Sequence, residues 1–536
     1  MMLLPQPQKV LIGQGYCKLN EPECQTDISS KKLRPEAYRL EITESAIVIE
    51  AGDAAGLFYG RQTLSQIQKQ YPEALPCLVI EDAPAFKERG YMLDVSRCRV
   101  PTMATMRHFI DLLSSFKYNQ LQLYTEHTFA YVGHEAVWRD SSPFTAEEIH
   151  ELDAYCRDRF IELVPNQNSF GHFERWLKHP EYHHLAECPE GFVHPISRVK
   201  KTVGSTLCPT PESLDLVRGL YDQLMPCFSS GKFNVGCDEP WELGQGKSRR
   251  LFPGKSRADL FFGFLKQIGG ETQRRGKEMY FWADAALEHP DRLDEIPENA
   301  VAVLWGYEAD HPFDEQCGCL REAGIPFVVA PGDSTWLSYT GRYGLAEQNI
   351  PQAADAAMKH GARGLLLTHW GDQGHAQPWP TLLPGLVLGA GRFWNSEVSV
   401  DVVAALDQFV FEDTAGVLGS WLCDIGRLDE RLGTRRFNRS LLYSRLRESP
   451  FSNDLEELGI RLDLSTFREE LSRLDADLES IDLRCQDAEK IMEELGLILA
   501  LLGSKHADAS LRERYARVWF RRFRDGGLAE SMDGFL

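Results

Sequence analysis

The sequence lacks any long apolar run and any basic stripe. No window of the 536 residues approaches a membrane span, and the N-terminal segment MMLLPQPQKVLIGQG has neither the basic start nor the cleavage pattern of a signal peptide. The formal net charge of -21 argues against nucleic acid as a partner, because a phosphate backbone would be repelled over most of the surface. We therefore expect a cytoplasmic protein that binds neither nucleic acid nor membranes.

Metal-binding and phosphate-binding patterns are also scarce. The 13 cysteines are scattered, which favours a reduced interior over a disulfide framework, and Cys317 and Cys319 have no second close pair with which to form a zinc site. The segment HPEYHHL (179–185) is rich in histidine, but no strand-end carboxylate cluster goes with it, so we interpret it as a solvated helix face. The pattern G-x-x-x-x-G-K-[ST] is missing. We predict no metal and no organic cofactor.

The chain is too long for one ordinary core, and its character changes twice. Alternating and helical patterns over 37–82 predict a small N-terminal α+β domain (1–84). Short apolar runs that alternate with helical patterns over 90–394 predict a parallel α/β domain (85–396). Charged, Leu-rich sequence after about 400 predicts a C-terminal helical region (397–536) that packs on the barrel or forms a homodimer contact, and we assign it no chemistry.

Eight apolar runs mark the central domain, and eight parallel strands close a (β/α)8 TIM barrel. The runs lie at 91–95, 121–124, 161–165, 233–236, 279–282, 301–305, 327–330 and 364–368. Helix starts are marked by a capping box at Thr145 and Glu148, and by Thr210 before a proline at the first helical position. Active sites of such barrels lie at the C-terminal ends of the strands, so polar residues there are the candidates.

Acids and tryptophans dominate the positions just past the predicted strand ends. These positions are Asp94, Arg97, Glu126, His127, Asn166, Asn168, His172, Asp238, Glu239, Trp282, Asp284, Trp305, Trp336, Tyr339, His369, Trp370 and Asp372. Aromatic faces stack on the apolar faces of sugar rings, while carboxylates, Arg and Asn bind hydroxyls and amides in defined directions. The set predicts a carbohydrate pocket rather than a phosphate or nucleotide pocket.

Each candidate also has a purely structural interpretation. Arg97 and Asp94 have the spacing of an ion pair at the barrel mouth, and His172 follows a glycine at a strand-to-helix turn, where capping histidines also occur. One tryptophan alone is more often core than ligand platform, but three that end strands of one barrel favour a lined pocket. Asp238 and Glu239 are adjacent, as at an acidic helix N-terminus, whereas a glycosidase usually draws its two carboxyls from different strands.

The chain resembles the family-20 glycoside hydrolases, the β-N-acetylhexosaminidases. The resemblance rests on GLFYGRQTLSQI leading into IEDAPAFKERGYMLDVSR, then NSFGH, FNVGCDE, the strand-end tryptophans and HWGD, over roughly 37–394. It implies a catalytic (β/α)8 barrel after a zincin-like domain, in an exo-acting enzyme that removes terminal β-linked GlcNAc or GalNAc from glycosides without a cofactor. In this family the 2-acetamido oxygen of the substrate is the nucleophile, and hydrolysis retains the anomeric configuration.

The resemblance also implies roles for individual residues. Glu239 would be the general acid/base, and Asp238 would orient and polarise the acetamido group. His172 would lie behind Glu239 and adjust its protonation. Adjacent acids then make sense, because only Glu239 has to reach the leaving oxygen. The expected substrate-binding residues are Arg97, Glu126, Trp282, Asp284, Trp305, Trp336, Tyr339, Trp370 and Asp372.

Within that set, the resemblance assigns different parts of the sugar. Arg97, with help from Asp372, would bind hydroxyls at the far side of the non-reducing sugar. Either Trp336 or Tyr339 would contact the acetamido oxygen. The remaining tryptophans would line the pocket around the ring and the N-acetyl group.

Two departures from the family pattern bear on the site. The family commonly has Gly-Gly before the acid pair, whereas this chain has Gly236 and Cys237, so we expect the backbone at 237 to avoid conformations that only glycine tolerates. The loop YTEHTFAYVGHEAVW replaces a Trp- and Asp-rich loop, and it places Glu126 and His127 in a region where sugar-binding or His-pairing acids are expected. GlcNAc-versus-GalNAc preference and the aglycone stay open.

Two other functional hypotheses also stay open. One is a carbohydrate-binding barrel without activity. The other is a retaining glycosidase that uses an enzyme carboxylate as nucleophile, with Glu126 paired with Glu239.

Overall fold

The structure of the protein is a computed structural model that describes residues 1–18, 25–97, 99–195, 198–433, 435–444, 446, 464–504 and 506–535. Within these ranges, no helix has the length and apolar character needed to cross a membrane.

A five-stranded sheet and one long helix form the N-terminal unit. The strands are β1 (Lys9–Lys18), β2 (Gln25–Ser29), β3 (Tyr38–Ile42), β4 (Ile47–Ala51) and β5 (Ala74–Asp82), in the order β1-β5-β3-β4-β2. Buried residues alternate along β3 and β4, so one face of the sheet packs against helix α1 (Ala54–Gln70). The Asp53 side chain caps α1 by accepting from the Gly56 N–H. The predicted α+β character of this unit is confirmed.

Eight parallel strands close into a barrel. They are β6 (Glu88–Asp94), β7 (Gln120–Thr125), β8 (Glu162–Gln167), β9 (Lys232–Asn234), β10 (Glu278–Trp282), β11 (Ala300–Trp305), β12 (Phe327–Ala330) and β13 (Gly364–His369). Each strand pairs with the next, and β13 pairs with β6. Every residue of β6, β7 and β13 is buried, as expected for strands covered on both faces. All eight predicted runs are strands, which confirms the TIM barrel.

Helices cover the barrel after seven of its strands. They are α2 (Met103–Ser115), α3 (Ala146–Arg157), α4 (Pro211–Leu224), α5 (Arg257–Arg274), α6 (Phe313–Glu322), α7 (Tyr343–His360) and α8 (Leu383–Trp394). After β10 the chain forms only a four-residue helix and a 3-10 segment, Pro290–Glu295. The predicted capping box of α3 is present, and Thr210 caps α4 as predicted.

The described residues of the C-terminal region form helices and a small hairpin. The longer helices are α9 (Leu418–Ile425), α10 (Leu464–Leu478), α11 (Ala488–Gly503) and α12 (Ala509–Phe520), and the hairpin pairs β14 (Arg435–Arg436) with β15 (Arg439–Ser440). Arg524 donates to the Pro143 carbonyl at 2.8 Å and pairs with Glu148 at 2.8 Å, so the end of the region is bound to the barrel. Packing on the barrel is one of the two arrangements that the sequence predicts.

Buried charges join the N-terminal unit to the lower end of the barrel, which is the end where the strands begin. Lys117 Nζ lies 3.2 Å from Asp82 Oδ2 and donates to the Tyr38 hydroxyl at 3.0 Å. Arg89 pairs with Glu36 at 2.9 Å and also donates to backbone carbonyls. These charges are therefore compensated by direct partners, as buried charges must be.

Candidate active site

The C-terminal ends of the barrel strands surround one cavity of about 560 Å³. Its lining contains most of the predicted site residues: Arg97, Glu126, His172, Asp238, Glu239, Trp282, Trp305, Trp336, Trp370 and Asp372. Asp284 and Tyr339 are not among the lining residues. The cavity lies at the end of the barrel where this fold carries its active sites.

The acid pair follows β9 in a turn with unusual backbone angles. Gly236, Cys237 and Glu239 have φ values of 68°, 69° and 48°, all in the left-handed region. The expectation that position 237 avoids such a conformation is wrong. The backbone N–H of Trp282 donates to the Gly236 carbonyl at 2.9 Å. This tertiary hydrogen bond helps to fix the turn, although Cys237 by itself disfavours a left-handed backbone. Backbone strain of this kind is concentrated at functional sites.

A second turn, after β8, brings His172 against the acids. His172 itself has a φ of 57°. A Cβ on Gly171 would lie 2.2 Å from the Asp238 carbonyl oxygen, and a Cβ on Gly236 would lie 1.6 Å from Asn168 Oδ1. The segments NSFGH and FNVGCDE therefore interlock: Gly171 is required by the close approach of the Asp238 backbone, and Gly236 by the close approach of the Asn168 side chain.

His172 lies between the two adjacent carboxylates. Its Nε2 is 3.0 Å from Asp238 Oδ2 and 3.4 Å from Glu239 Oε2, and its Nδ1 is 4.0 Å from Glu126 Oε1. Burial lowers the pKa of His172, but the charge of Asp238 and contacts with both adjacent acids outweigh it and raise the pKa well above its usual value. The neighbouring acids therefore favour the protonated form of His172.

The other oxygen of Asp238 has a different environment. Asp238 Oδ1 is buried and has no hydrogen-bond partner among the described residues. A buried carboxylate oxygen without a donor is unfavourable, so a group that enters the cavity with an N–H would meet a ready acceptor.

The surroundings of Glu239 shift its pKa in opposing directions. Burial raises the pKa of Glu239 and Asp238 adds to the rise, while contact with His172 lowers it. The Glu239 N–H donates to Asp284 Oδ2 at 3.0 Å, and Trp305 Nε1 donates to Asp284 Oδ1 at 3.3 Å. Burial and the two neighbouring carboxylates raise the pKa of Asp284 to about 8. Asp284 thus positions Glu239 and Trp305 from behind the cavity wall.

A second group of charged side chains surrounds Arg97 in the cavity. Arg97 lies 3.0 Å from Asp94 Oδ2 and 3.1 Å from Glu126 Oε1, so the anticipated ion pair with Asp94 is present. Asp94 is fully buried and also accepts from the Gly371 N–H at 2.9 Å. Burial raises the pKa of Glu126 and of Asp372, and Arg97 opposes both shifts. Arg97 thereby favours the charged form of the acids that surround it.

Aromatic rings also line the cavity. Trp282 and Trp370 have ring centroids 5.8 Å apart, and Trp305 stacks on Tyr307 at 5.1 Å. Trp336 meets Tyr307 edge-on at 5.0 Å, and Trp370 Nε1 donates to the Tyr307 hydroxyl at 2.8 Å. Tyr307 therefore contacts three tryptophans of the cavity. Tyr307 was not among the predicted site residues, although it lies two residues past Trp305 in LWGYE.

Tyr339 lies outside the cavity lining. It is buried, and its ring packs on Tyr443 with centroids 5.0 Å apart. Of the two residues expected near the acetamido group, Trp336 is the one that lines the cavity.

The histidine-rich segment also lies outside the cavity lining. It forms a short helix, Pro180–His183. In the described part of the chain, the three side chains that could share a metal ion are His172, Asp238 and Glu239, whose ligand atoms lie within 4.8 Å of one another. The segment 179–185 contributes none of them.

The C-terminal region, for which no chemistry was predicted, also reaches the cavity. Phe437, Asn438 and Glu530 belong to the lining. Trp336 Nε1 donates to Asn438 Oδ1 at 2.8 Å. No motif marks these residues in the sequence, because their place depends on long-range packing.

Comparison with known families identifies the chain. The model of the glycosyl hydrolase family 20 catalytic domain matches residues 86–361, and that of family 20 domain 2 matches residues 18–83. The chain belongs to glycosyl hydrolase family 20. The resemblance stated from the motifs is confirmed, and the protein is a glycoside hydrolase. The family 20 matches end before the C-terminal region begins.

Individual relatives agree with the family 20 assignment. The chain is 27% identical over 371 residues to a beta-hexosaminidase of Akkermansia muciniphila, which covers 63% of this chain and 71% of that protein. It is 24% identical over 338 residues to hexosaminidase D of Bos taurus, which covers 58% of this chain and 93% of that protein. A beta-N-acetylhexosaminidase structure from Bacteroides fragilis gives a TM-score of 0.61 at 20% identity, over 75% of this chain and 92% of that one. This structural likeness supports the fold.

Proposed function

We propose that the protein is an exo-β-N-acetylhexosaminidase that removes terminal β-linked GlcNAc or GalNAc with retention, using the substrate's 2-acetamido group as nucleophile. One observation carries the proposal: Asp238 and Glu239 contact the same nitrogen of His172, at 3.0 and 3.4 Å. Carboxyls held together in this way are poorly placed to act on opposite faces of a glycosidic bond, as an enzyme acid and an enzyme nucleophile do. A nucleophile within the substrate removes that requirement.

In this mechanism Glu239 and Asp238 have different roles. Glu239, whose pKa is raised by burial, donates its proton to the glycosidic oxygen and later removes a proton from the incoming water. The open acceptor Asp238 Oδ1 receives the acetamido N–H, which turns the acetamido oxygen toward the anomeric carbon. The charge of Asp238 then stabilises the cationic cyclic intermediate.

The charged group around Arg97 binds the sugar's hydroxyls. Arg97, Glu126 and Asp372 present charged donors and acceptors there, and the tryptophans of the cavity lining face the ring. Trp336, rather than Tyr339, lies next to the acetamido group in this arrangement. Because every step uses side chains and the substrate's own acetamido group, we expect full activity in EDTA.

The decisive test is the dependence of the rate on the acetamido group. We expect aryl N-acetyl-β-glucosaminides to be hydrolysed far faster than the matching aryl β-glucosides. Within a series of mono-, di- and trifluoroacetyl analogues, kcat/KM should fall with each fluorine, because fluorine weakens the acetamido oxygen as a nucleophile. Asp238→Asn should remove most of this sensitivity together with most of the activity.

The two alternatives give different outcomes. If Glu126 were the nucleophile, glucoside and N-acetylglucosaminide would react at comparable rates, and a thiazoline mimic of the cyclic intermediate would bind poorly. If the barrel only bound carbohydrate, the wild-type protein would bind the thiazoline without turning over any substrate. Glu239→Gln serves as the control, since it should keep binding while it loses turnover.

A further inference from the structure

The turn between β14 and β15 reaches the cavity from outside the barrel. The two strands pair antiparallel and leave Phe437 and Asn438 as a two-residue turn. Asn438 has a φ of 58°, a conformation that asparagine tolerates better than most residues with a side chain. The Ser440 N–H donates to the Leu337 carbonyl at 2.9 Å, which binds the hairpin to the loop after β12.

Asn438 fixes the indole of Trp336. Trp336 Nε1 donates to Asn438 Oδ1 at 2.8 Å, while the Asn438 N–H donates to Glu308 Oε1 at 2.9 Å. Trp336 is only 1% exposed, so its N–H would be buried without this acceptor if the asparagine were lost. The Arg342 guanidinium lies 4.9 Å from the Trp336 ring centroid, and Tyr307 meets the ring edge-on. Asn438 adds the directional bond that sets the ring's orientation.

Phe437 lines the cavity but, unlike the buried Trp336, it is 70% exposed. An exposed ring of this kind contributes little to packing. In the proposed function the non-reducing sugar lies between Arg97 and Glu239, so the rim of the cavity receives the leaving group. Trp241, whose ring meets His194 at 4.1 Å, lines the same cavity.

We propose that this hairpin completes the active site. Asn438 is a positioning residue that holds Trp336 against the N-acetyl sugar, and Phe437 is a specificity residue that stacks on the apolar face of a sugar in the leaving-group position. The inference rests on the proposed function and deepens it: the substrate class is a glycoside whose leaving group is itself a sugar ring.

Phe437→Ala tests the specificity role with two substrates. N-acetyl-β-glucosaminyl fluoride has a single-atom leaving group, whereas the β-1,4-linked GlcNAc disaccharide has a sugar. We expect kcat/KM to fall about tenfold more for the disaccharide than for the fluoride, the size of one aromatic stacking contact. Phe437→Tyr should restore the ratio, because it keeps the ring.

Phe520→Ala is the matched control, since Phe520 is 50% exposed and lies on α12 outside the cavity lining. A disaccharide-to-fluoride ratio in Phe437→Ala equal to that of the control would overturn the specificity role. If the wild-type protein hydrolysed neither substrate, the proposed function itself would be wrong. If it hydrolysed both and only the ratio matched that of the control, the specificity role alone would be wrong.

A double-mutant cycle tests the positioning role. Asn438→Gly keeps the left-handed turn but removes the acceptor, and we expect it to lower kcat/KM on the order of tenfold for both substrates alike. In a Trp336→Phe background, which has no indole N–H, Asn438→Gly should have little further effect. Additive effects of the two substitutions would overturn the role. The melting temperature of each variant separates this result from a loss of folding.

Discussion

The two ends of the barrel differ in how their buried polar groups are paired. At the lower end, Lys117 and Arg89 are buried against Asp82 and Glu36 and make direct hydrogen bonds. At the upper end, where the strands end, Asp238 Oδ1 is buried without a partner among the described residues, and the backbone of Cys237 and Glu239 on either side is left-handed. Paired groups secure the native state, whereas unpaired groups persist where a ligand can complete them. The comparison separates residues that serve stability from residues that serve chemistry.

The largest effect should come from Glu239→Gln at the upper end. Loss of the general acid is expected to lower kcat on an unactivated disaccharide by about 10² to 10⁴. The free energy of unfolding should not fall, because the buried amide avoids the desolvation that raises the pKa of the carboxyl. Steady-state kinetics and urea unfolding measure the two quantities. A fall in kcat of less than tenfold would contradict the role of Glu239.

Lys117→Met should produce the opposite result at the lower end. It leaves Asp82 as a buried charge without its ion-pair partner, which should cost about 3–5 kcal/mol of unfolding free energy. We expect kcat per folded molecule to stay at the wild-type value. Adding Asp82→Asn should recover part of the stability, and urea unfolding of the single and double variants checks this. If Lys117→Met changed kcat and left the unfolding free energy unchanged, the lower end would serve chemistry rather than stability, which would contradict the comparison.

A smaller and more specific effect is expected from His172→Ala. Contact with His172 lowers the pKa of Glu239, so removing the imidazole should raise that pKa. Glu239 acts in its protonated form, and activity is lost as pH rises through its pKa. The alkaline limb of the kcat/KM profile should therefore move to higher pH. Surface His150→Ala is the control, and an alkaline limb that stays in place or moves to lower pH would contradict this account.

The smallest effect concerns Cys237. Glycine at this position relieves a left-handed conformation worth about 1–2 kcal/mol, but it also removes a buried side chain, so the net change in stability should be within about 1 kcal/mol. Cys237→Ala keeps the strained Cβ and loses the sulfur. We therefore expect the alanine variant to be less stable than the glycine variant in urea unfolding, and the reverse order would show that strain is unimportant here.

The barrel could be predicted because each strand has its own local signal. The eight apolar runs and the polar residues after them are visible in sequence, and the barrel geometry brings Arg97, His172 and Glu239 to one cavity. Asp284 also follows a strand end, but it turns behind the wall to accept from the Glu239 N–H. Periodicity locates a strand end without giving the direction of every side chain there.

Other features depend on contacts that no local pattern records. Asn438 meets Trp336 across 102 positions of the chain. The backbone of Cys237 was predicted wrongly because hydrogen bonding from Trp282 helps to override the residue's own preference. The expected roles in binding and catalysis stay predictions until the variants above are measured.

The interlocked turns of NSFGH and FNVGCDE limit how this enzyme can diverge. Because a side chain on Gly171 would collide with the carbonyl of Asp238, neither turn can shift or gain bulk alone. Substitutions that alter substrate choice are therefore expected to accumulate in the cavity walls and rim. Directed evolution of the enzyme should keep 168–172 and 235–239 fixed and vary the surrounding loops.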